Sequence, residues 1–170
     1  YWIYSPGDNA CKWDEFYAAG IMGLGWSEIG DLSSFDSKDA MKKKMKETYG
    51  DQYSYKNAAH ATWQFANEIK PGDIIFVKKG MHKIIGRGIV AGEYQYRPDL
   101  EYEEYEYGHI RPVDWTHKGE WDHPGQAVMK TLTDITSYTD YVEKLNALFA
   151  DEVEYVEEVE TTYPPYDVDK

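Results

Sequence analysis

The sequence predicts an α+β domain organised around a small curved sheet, and two observations carry that prediction. Within residues 69–96, Pro71-Gly72-Asp73 makes a turn, and Ile74-Ile75-Phe76-Val77 follows as a short apolar run rich in β-branched residues. Such a run fits a strand buried on both faces. A second strand-like run over residues 84–92 is interrupted by Gly86, Gly88 and Gly92. Glycine inside a strand marks a bulge, a corner or a close approach by another group, so the pair reads as the spine of a sheet that bends. The second observation is the helical spacing just upstream. Met41 and Met45 stand one turn apart among lysines, and Ala58, Ala61, Phe65 and Ile69 follow at near-helical intervals.

The other elements fall in order around this spine. Residues 1–4 read as a first strand, ended by the turn chemistry of Ser5-Pro6-Gly7-Asp8-Asn9. Residues 12–19 read as a short helix with Trp13, Phe16 and Tyr17 on one side, stopped by Gly20, and 21–26 as a glycine-rich strand ending in Trp26. Ser37 is placed to cap a helix over 38–48 that Gly50 ends, and Pro71-Gly72 ends a second helix over 57–69. Residues 78–83 read as a loop and 97–107 as an exposed connection rich in Tyr and Glu. Residues 109–115 read as a third strand, which Pro112 makes an edge strand or bulges. A loop is expected over 116–124 and helices over 126–132 and 137–149. Ser137 or Thr139 would cap the latter, and Tyr141, Leu145, Leu148 and Phe149 would form its apolar stripe. The domain is expected to span 1–150, with 151–170 an acidic linker or extension containing Pro164-Pro165.

Composition narrows the function classes. The lone cysteine, Cys11, precludes an internal disulfide. There is no apolar run long enough to enter a membrane and no secretory leader, so a cytoplasmic protein with no membrane partner is the expectation. The chain begins at Tyr1 without Met, as an excised segment would. A net charge of −13 argues against bulk attraction to nucleic acid, but the charge is unevenly spread. Residues 38–87 hold eleven Lys or Arg against five Asp or Glu, and the acids concentrate over 93–106 and 151–169. Lys42-Lys43-Lys44 reads either as a solvated helix face or as part of a positive surface.

No enzyme constellation stands out. The GxxxxGKS/T phosphate loop is absent, and Cys11 has no histidine partner nearby in sequence. His109, His117 and His123, with Asp114 and Asp122, match no metal-ligand spacing. No catalytic residue, metal or cofactor is therefore expected. A binding module fits better. Trp26 ends a glycine-rich strand and precedes Ser27, where an indole can stand open beside a ligand. Stacking on an aromatic ring contributes roughly 1–3 kcal/mol per base, and a closed pocket requires a base flipped from its stack. Backbone groups of Ser5-Pro6-Gly7 would read the edge of that base.

The ordered set YSPGDN, GIMGLGW, ANEIKPGDIIFVKKG, GRGIVAGEY and HIRPVDW resembles the EVE-type domains of the PUA superfamily, relatives of the YTH readers. It is particularly similar to the N-terminal domains of McrB-like modification-dependent restriction proteins. The resemblance covers roughly residues 1–150, and KPGD, an apolar strand and GxGIV form its most specific part. It implies a small, strongly curved β-barrel wrapped by helices, with a pocket for a flipped modified base. That base is typically methylated or hydroxymethylated cytosine in DNA, or methyladenine in relatives. Trp26 matches the cage tryptophan after the first helix, and Ser5, Pro6 and Gly7 match the turn after the first strand. Tyr94 and Trp115 are the candidates for further cage walls, whereas Trp2 and Trp63 read as core. Lys42, Lys43, Lys44, Lys78, Lys79, Lys83 and Arg87 would contact the nucleic-acid backbone. The implied partners are modified DNA and, in a larger restriction protein, an AAA+ GTPase motor and a nuclease subunit. Two alternatives remain at this point: a YTH-like reader of modified RNA, and a protein-interaction module that binds no nucleic acid.

Overall fold

The computed structural model describes residues 1–99 and 107–150 and shows an α+β fold: a curled, half-barrel mixed sheet with four α-helices among those residues. The strands are β1 (Trp2–Tyr4), β2 (Ile21–Leu24), β3 (Ile74–Lys79), β4 (Lys83–Val90), β5 (Gln95–Tyr96), β6 (His109–Asp122) and β7 (Leu132–Asp134). The helices are α1 (Trp13–Ala19), α2 (Lys38–Tyr49), α3 (Lys56–Asn67) and α4 (Thr139–Ala147). The acidic stretch 101–106 and the expected tail over 151–170 lie outside the described residues.

The sheet runs β2-β6-β4-β3-β1-β7, with β5 paired to β6. The β3–β4 hairpin lies at its centre, as the glycine-broken pair of runs predicts. β1 adds to β3 in parallel, with Ile3 beside Phe76, and β7 closes the other side of β1 in antiparallel register. Side chains alternate between the two faces, as strand geometry requires. Trp2, Tyr4, Ile75 and Val77 enter one core with Phe65 and Ile69, while Ile3 and Phe76 enter a second under α4, with Tyr141, Leu145 and Phe149. Met41 and Met45 of α2 face inward against Ala59 of α3, and Ser37 caps α2 through a bond from the Ala40 amide at 3.1 Å. Trp2 is core, and Trp63 packs half-buried against the α2–α3 core.

Bending comes from the glycines. Register shifts interrupt the β4–β6 ladder between Ile84 and Gly86 and between Arg87 and Gly88. At Gly88, an added Cβ would fall 2.5 Å from the Trp115 ring, and at Gly86 it would strike the Trp13 ring. Two indoles therefore lie directly on the β4 backbone, which only glycine permits.

Four expectations need correction. Residues 116–124 do not form a loop, because β6 continues to Asp122 alongside β4. Of the two alternatives for β6, edge strand or bulge, the edge strand does not hold, since β2 and β4 flank it, whereas its ladder with β4 carries the register shifts noted above. Pro112 is tolerated because it lies just beyond the last β4 pair, Val90 with Val113. Residues 126–132 form no helix. They cross the tip of the β3–β4 hairpin, with the Ala127 amide bonded to the Met81 carbonyl at 2.9 Å. Lys78 is strand, not loop, and its ammonium is buried.

Candidate functional site

Trp26 sits at a constrained backbone position in the expected site. β2 ends at Leu24, and Trp26 adopts a left-handed conformation, φ 64°, before a short 3-10 turn over Ser27–Ile29. That region is unfavourable for a residue with a Cβ, so the surroundings must hold it there. They do so through β5 and β6. The His109 ring, fully buried, lies 3.0 Å from the Trp26 carbonyl through Nε2 and 2.9 Å from the Tyr94 hydroxyl through Nδ1. A carbonyl only accepts, so Nε2 carries the proton and Nδ1 accepts from Tyr94. The Tyr94 oxygen in turn accepts from the Leu32 amide at 3.0 Å. Next to Trp26, the Ser27 hydroxyl accepts from the Gly108 amide at 2.8 Å, and the Tyr96 hydroxyl donates to the Ser27 carbonyl at 3.3 Å.

Burial holds the His109 pKa below the ordinary histidine value, against the opposing pull of the Trp26 carbonyl and of Asp31. The neutral ring matches the one-donor, one-acceptor role above. Burial likewise raises the Tyr94 phenol, so it stays protonated and able to donate.

A cavity of about 250 Å³ opens beside this turn. Ser5, Gly7 and Asp8, from the turn after β1, line one part, and Gly23, Leu24 and Trp26, from the end of β2, another. Gly25, Tyr107, Thr131 and Cys11 complete the lining among the described residues. The two sequence-distant segments are fixed together by Tyr4. Its buried hydroxyl accepts from the Gly23 amide at 2.9 Å and donates to the Gly23 carbonyl at 2.5 Å. The Ser5 amide donates to the Thr131 carbonyl at 2.9 Å, which brings the segment before β7 to the same place.

The expected residues divide accordingly. Trp26, Ser5 and Gly7 share the cavity lining, while Pro6 is buried and uses its carbonyl to accept from the Lys12 amide. Tyr94 does not reach the lining, because its hydroxyl is committed behind Trp26 to Leu32 and His109. Trp115 is also elsewhere: its indole N–H donates to the Ile21 carbonyl at 3.0 Å, and its ring packs edge-on against Trp13. Neither expected cage wall therefore lines this cavity.

Among the expected backbone contacts, Lys78 is the clear correction. It is 4% exposed and donates to the Val128 carbonyl, so it cannot reach a phosphate. Lys43, Lys44 and Lys79 are exposed, and Lys42 is half-buried 3.3 Å from Asp39. Lys83 pairs with Asp122 at 2.7 Å. The Arg87 guanidinium lies over the Phe76 ring and donates to Asn146 of α4 at 3.1 Å. Lys79 lines a cleft of about 570 Å³ that shares Cys11 with the Trp26 cavity.

The histidines do not gather. His109 serves Trp26, His117 packs on Phe149, and His123 bonds to the Tyr141 hydroxyl at 2.5 Å. Among the described residues no group of three or more His, Cys, Asp or Glu is placed to hold a metal. No helix among them is long and apolar enough to cross a membrane.

Sequence reasoning missed His109, Asp8, Thr131 and Tyr107. Asp8 was within reach of inference, since it adjoins the turn already singled out. Nothing local distinguishes His109, whose role depends on β6 pairing with both β2 and β5.

Residues 2–139 match the family described as Domain of unknown function (DUF8426). The chain belongs to that family. The match takes in all seven strands, both segments that meet at the cavity, and His109. No curated protein matches the chain. In this DUF8426 chain, the junction of the turn after β1 with the turn after β2 is thus part of the shared domain.

Proposed function

We propose that this chain is a nucleic-acid reader that accepts a flipped, modified base, methylated or hydroxymethylated cytosine or methyladenine, in the cavity beside Trp26. One observation carries the reading. Trp26, expected to stack on the base, and Ser5 and Gly7 of the turn expected to read its edge line the same cavity although they are far apart in sequence. Its volume, about 250 Å³, is large enough for one base with a small substituent. Tyr107 supplies a second aromatic side chain, and Ser5, Asp8 and Thr131 supply polar groups that can meet a base edge. Catalysis has no part in the reading. The EVE-like fold within the PUA superfamily, and service as the specificity module of a restriction system with a separate motor and nuclease, belong to the same proposal.

The acidic balance of the chain means that contact with phosphates must be local. The exposed Lys43, Lys44 and Lys79 are the side chains available for it among those expected.

The test is binding at moderate salt to matched duplexes carrying cytosine, 5-methylcytosine, 5-hydroxymethylcytosine or 6-methyladenine, with RNA counterparts. Preference for one modified deoxynucleotide supports the reading and names the base. A preference for ribose would assign the site to RNA. Equal or absent binding across the panel would overturn it.

A further inference from the structure

A second cavity, of about 210 Å³, adjoins the first, and Trp26 and Thr131 line both. Its chemistry is different. The first turns of α3 give it Asn57, Ala58, His60 and Ala61, and the segment entering β7 gives it Met129, Lys130 and Leu132. Among the described residues no carboxylate lines it. Two basic side chains and an amide share the lining with alanines and Leu132, in a protein whose net charge is −13. Lys38 of α2 adds to the positive field here. After burial, it is the largest influence lowering the His60 pKa, and Lys130 acts in the same direction while Glu68 opposes them. Met129, 75% exposed, offers an apolar side chain to whatever enters.

Taking the base-reading proposal as its premise, we infer that this second cavity holds the phosphodiester and sugar of the nucleotide adjoining the base beside Trp26. A flipped nucleotide stays covalently joined to its neighbours, so the strand must leave the base cavity past its walls. Of the two cavities that meet at Trp26, this one offers donors for an anion. His60 and Asn57 supply N–H groups, and Lys130 supplies an ammonium. Met129 suits the apolar face of the sugar or the neighbouring base. The ligand class is a deoxydinucleotide with one bridging phosphate, read as base on one side of the shared wall and phosphate on the other.

The experiment compares three ligands for whichever modified base binds best: the free nucleoside, its dinucleoside monophosphate with thymidine on either side, and the uncharged methylphosphonate of that dinucleotide. Titrations followed by backbone amide NMR run on the wild-type chain and on the His60→Ala/Lys130→Ala variant. In the wild type, one dinucleotide binds about tenfold more tightly than the nucleoside, the size of one charge-assisted contact, and the methylphosphonate loses that gain. In the variant, the nucleoside affinity stays and the gain disappears. A dinucleotide that binds no better than the nucleoside, or a gain that survives in both the methylphosphonate and the variant, overturns the inference and leaves the base cavity standing. If no modified nucleoside or dinucleotide binds, the base-reading proposal itself has failed and this one falls with it.

Discussion

His109 holds Trp26 by its backbone, not by its ring: the imidazole Nε2–H donates to the Trp26 carbonyl at 3.0 Å, while Tyr94 fixes the opposite nitrogen at 2.9 Å. Trp26 lines the cavity while its main chain is locked in the left-handed region. Replacing His109 with Phe removes both bonds, leaving the Trp26 carbonyl with the bond from the Ile29 amide at 3.3 Å and the Tyr94 hydroxyl with the one it accepts from the Leu32 amide. We expect ligand affinity to fall about tenfold or more, with the circular dichroism spectrum unchanged at neutral pH. Unaltered affinity would show that the cavity does not depend on this lock.

Backbone strain at Trp26 gives a second expectation. At φ 64°, glycine is at ease and alanine is not. Both substitutions remove the indole, so their difference isolates the main chain. Trp26→Gly is expected to be more stable than Trp26→Ala by about 1 kcal/mol in urea denaturation. The usual order, alanine the more stable, would mean that the turn relaxes to negative φ.

Tyr4 joins the core to the site. Its hydroxyl meets both polar groups of Gly23 inside the protein, and burial raises its pKa well above the ordinary phenol value. Tyr4→Phe strands a buried amide and carbonyl on β2, and we expect it to cost about 1–3 kcal/mol. It should also loosen the β1 and β2 turns relative to each other, so that affinity falls together with the melting temperature.

Stability should decline in mild acid. Burial, the largest influence in each case, lowers the pKa of both His123 and His109 in the folded chain, His123 from 6.5 to about 4. A depressed histidine pKa means that the unfolded chain binds more protons over that range, so the stabilisation is complete above pH 6.5 and is lost as pH falls toward 4. Melting temperatures from pH 7 to pH 4 check this. His123→Gln should flatten part of the slope, and a wild-type profile flat from pH 7 to pH 5 would contradict the assignment.

Lys78 and Lys79 are adjacent and should behave oppositely. Lys78→Ala removes a buried ammonium that donates to Val128 and should lower the melting temperature while leaving the salt dependence of DNA binding alone. Lys79→Ala should leave stability unchanged and reduce the slope of log affinity against log salt by about 1.

These contrasts show what the sequence made legible. The β3–β4 hairpin was readable because β-branched residues and interrupting glycines are local signals, and α2 was readable from Ser37, its methionine spacing and Gly50. The distal half of β6 was not, since residues 116–122 are mostly polar and are held as a strand only by pairing with β4. Residues 126–132 mimic a helix because Val128 and Leu132 are four apart, yet Val128 is held by Lys78 across the fold. Trp26, Ser5 and Gly7 could be singled out from local chemistry, and they line one cavity. His109, Thr131 and the true positions of Tyr94 and Trp115 depend on long-range strand order. A buried lysine inside an apolar strand has no local marker at all.

The most direct measurement is the affinity of the preferred modified duplex, against its unmodified match, for wild type, Trp26→Phe and Trp26→Ala. If the base stacks on Trp26, the preference is strong in the wild type, reduced but present with phenylalanine, and absent with alanine, a loss of roughly 1–3 kcal/mol. A preference that survives intact in a folded Trp26→Ala protein would contradict the account, because the base would then be read somewhere other than the cavity beside Trp26.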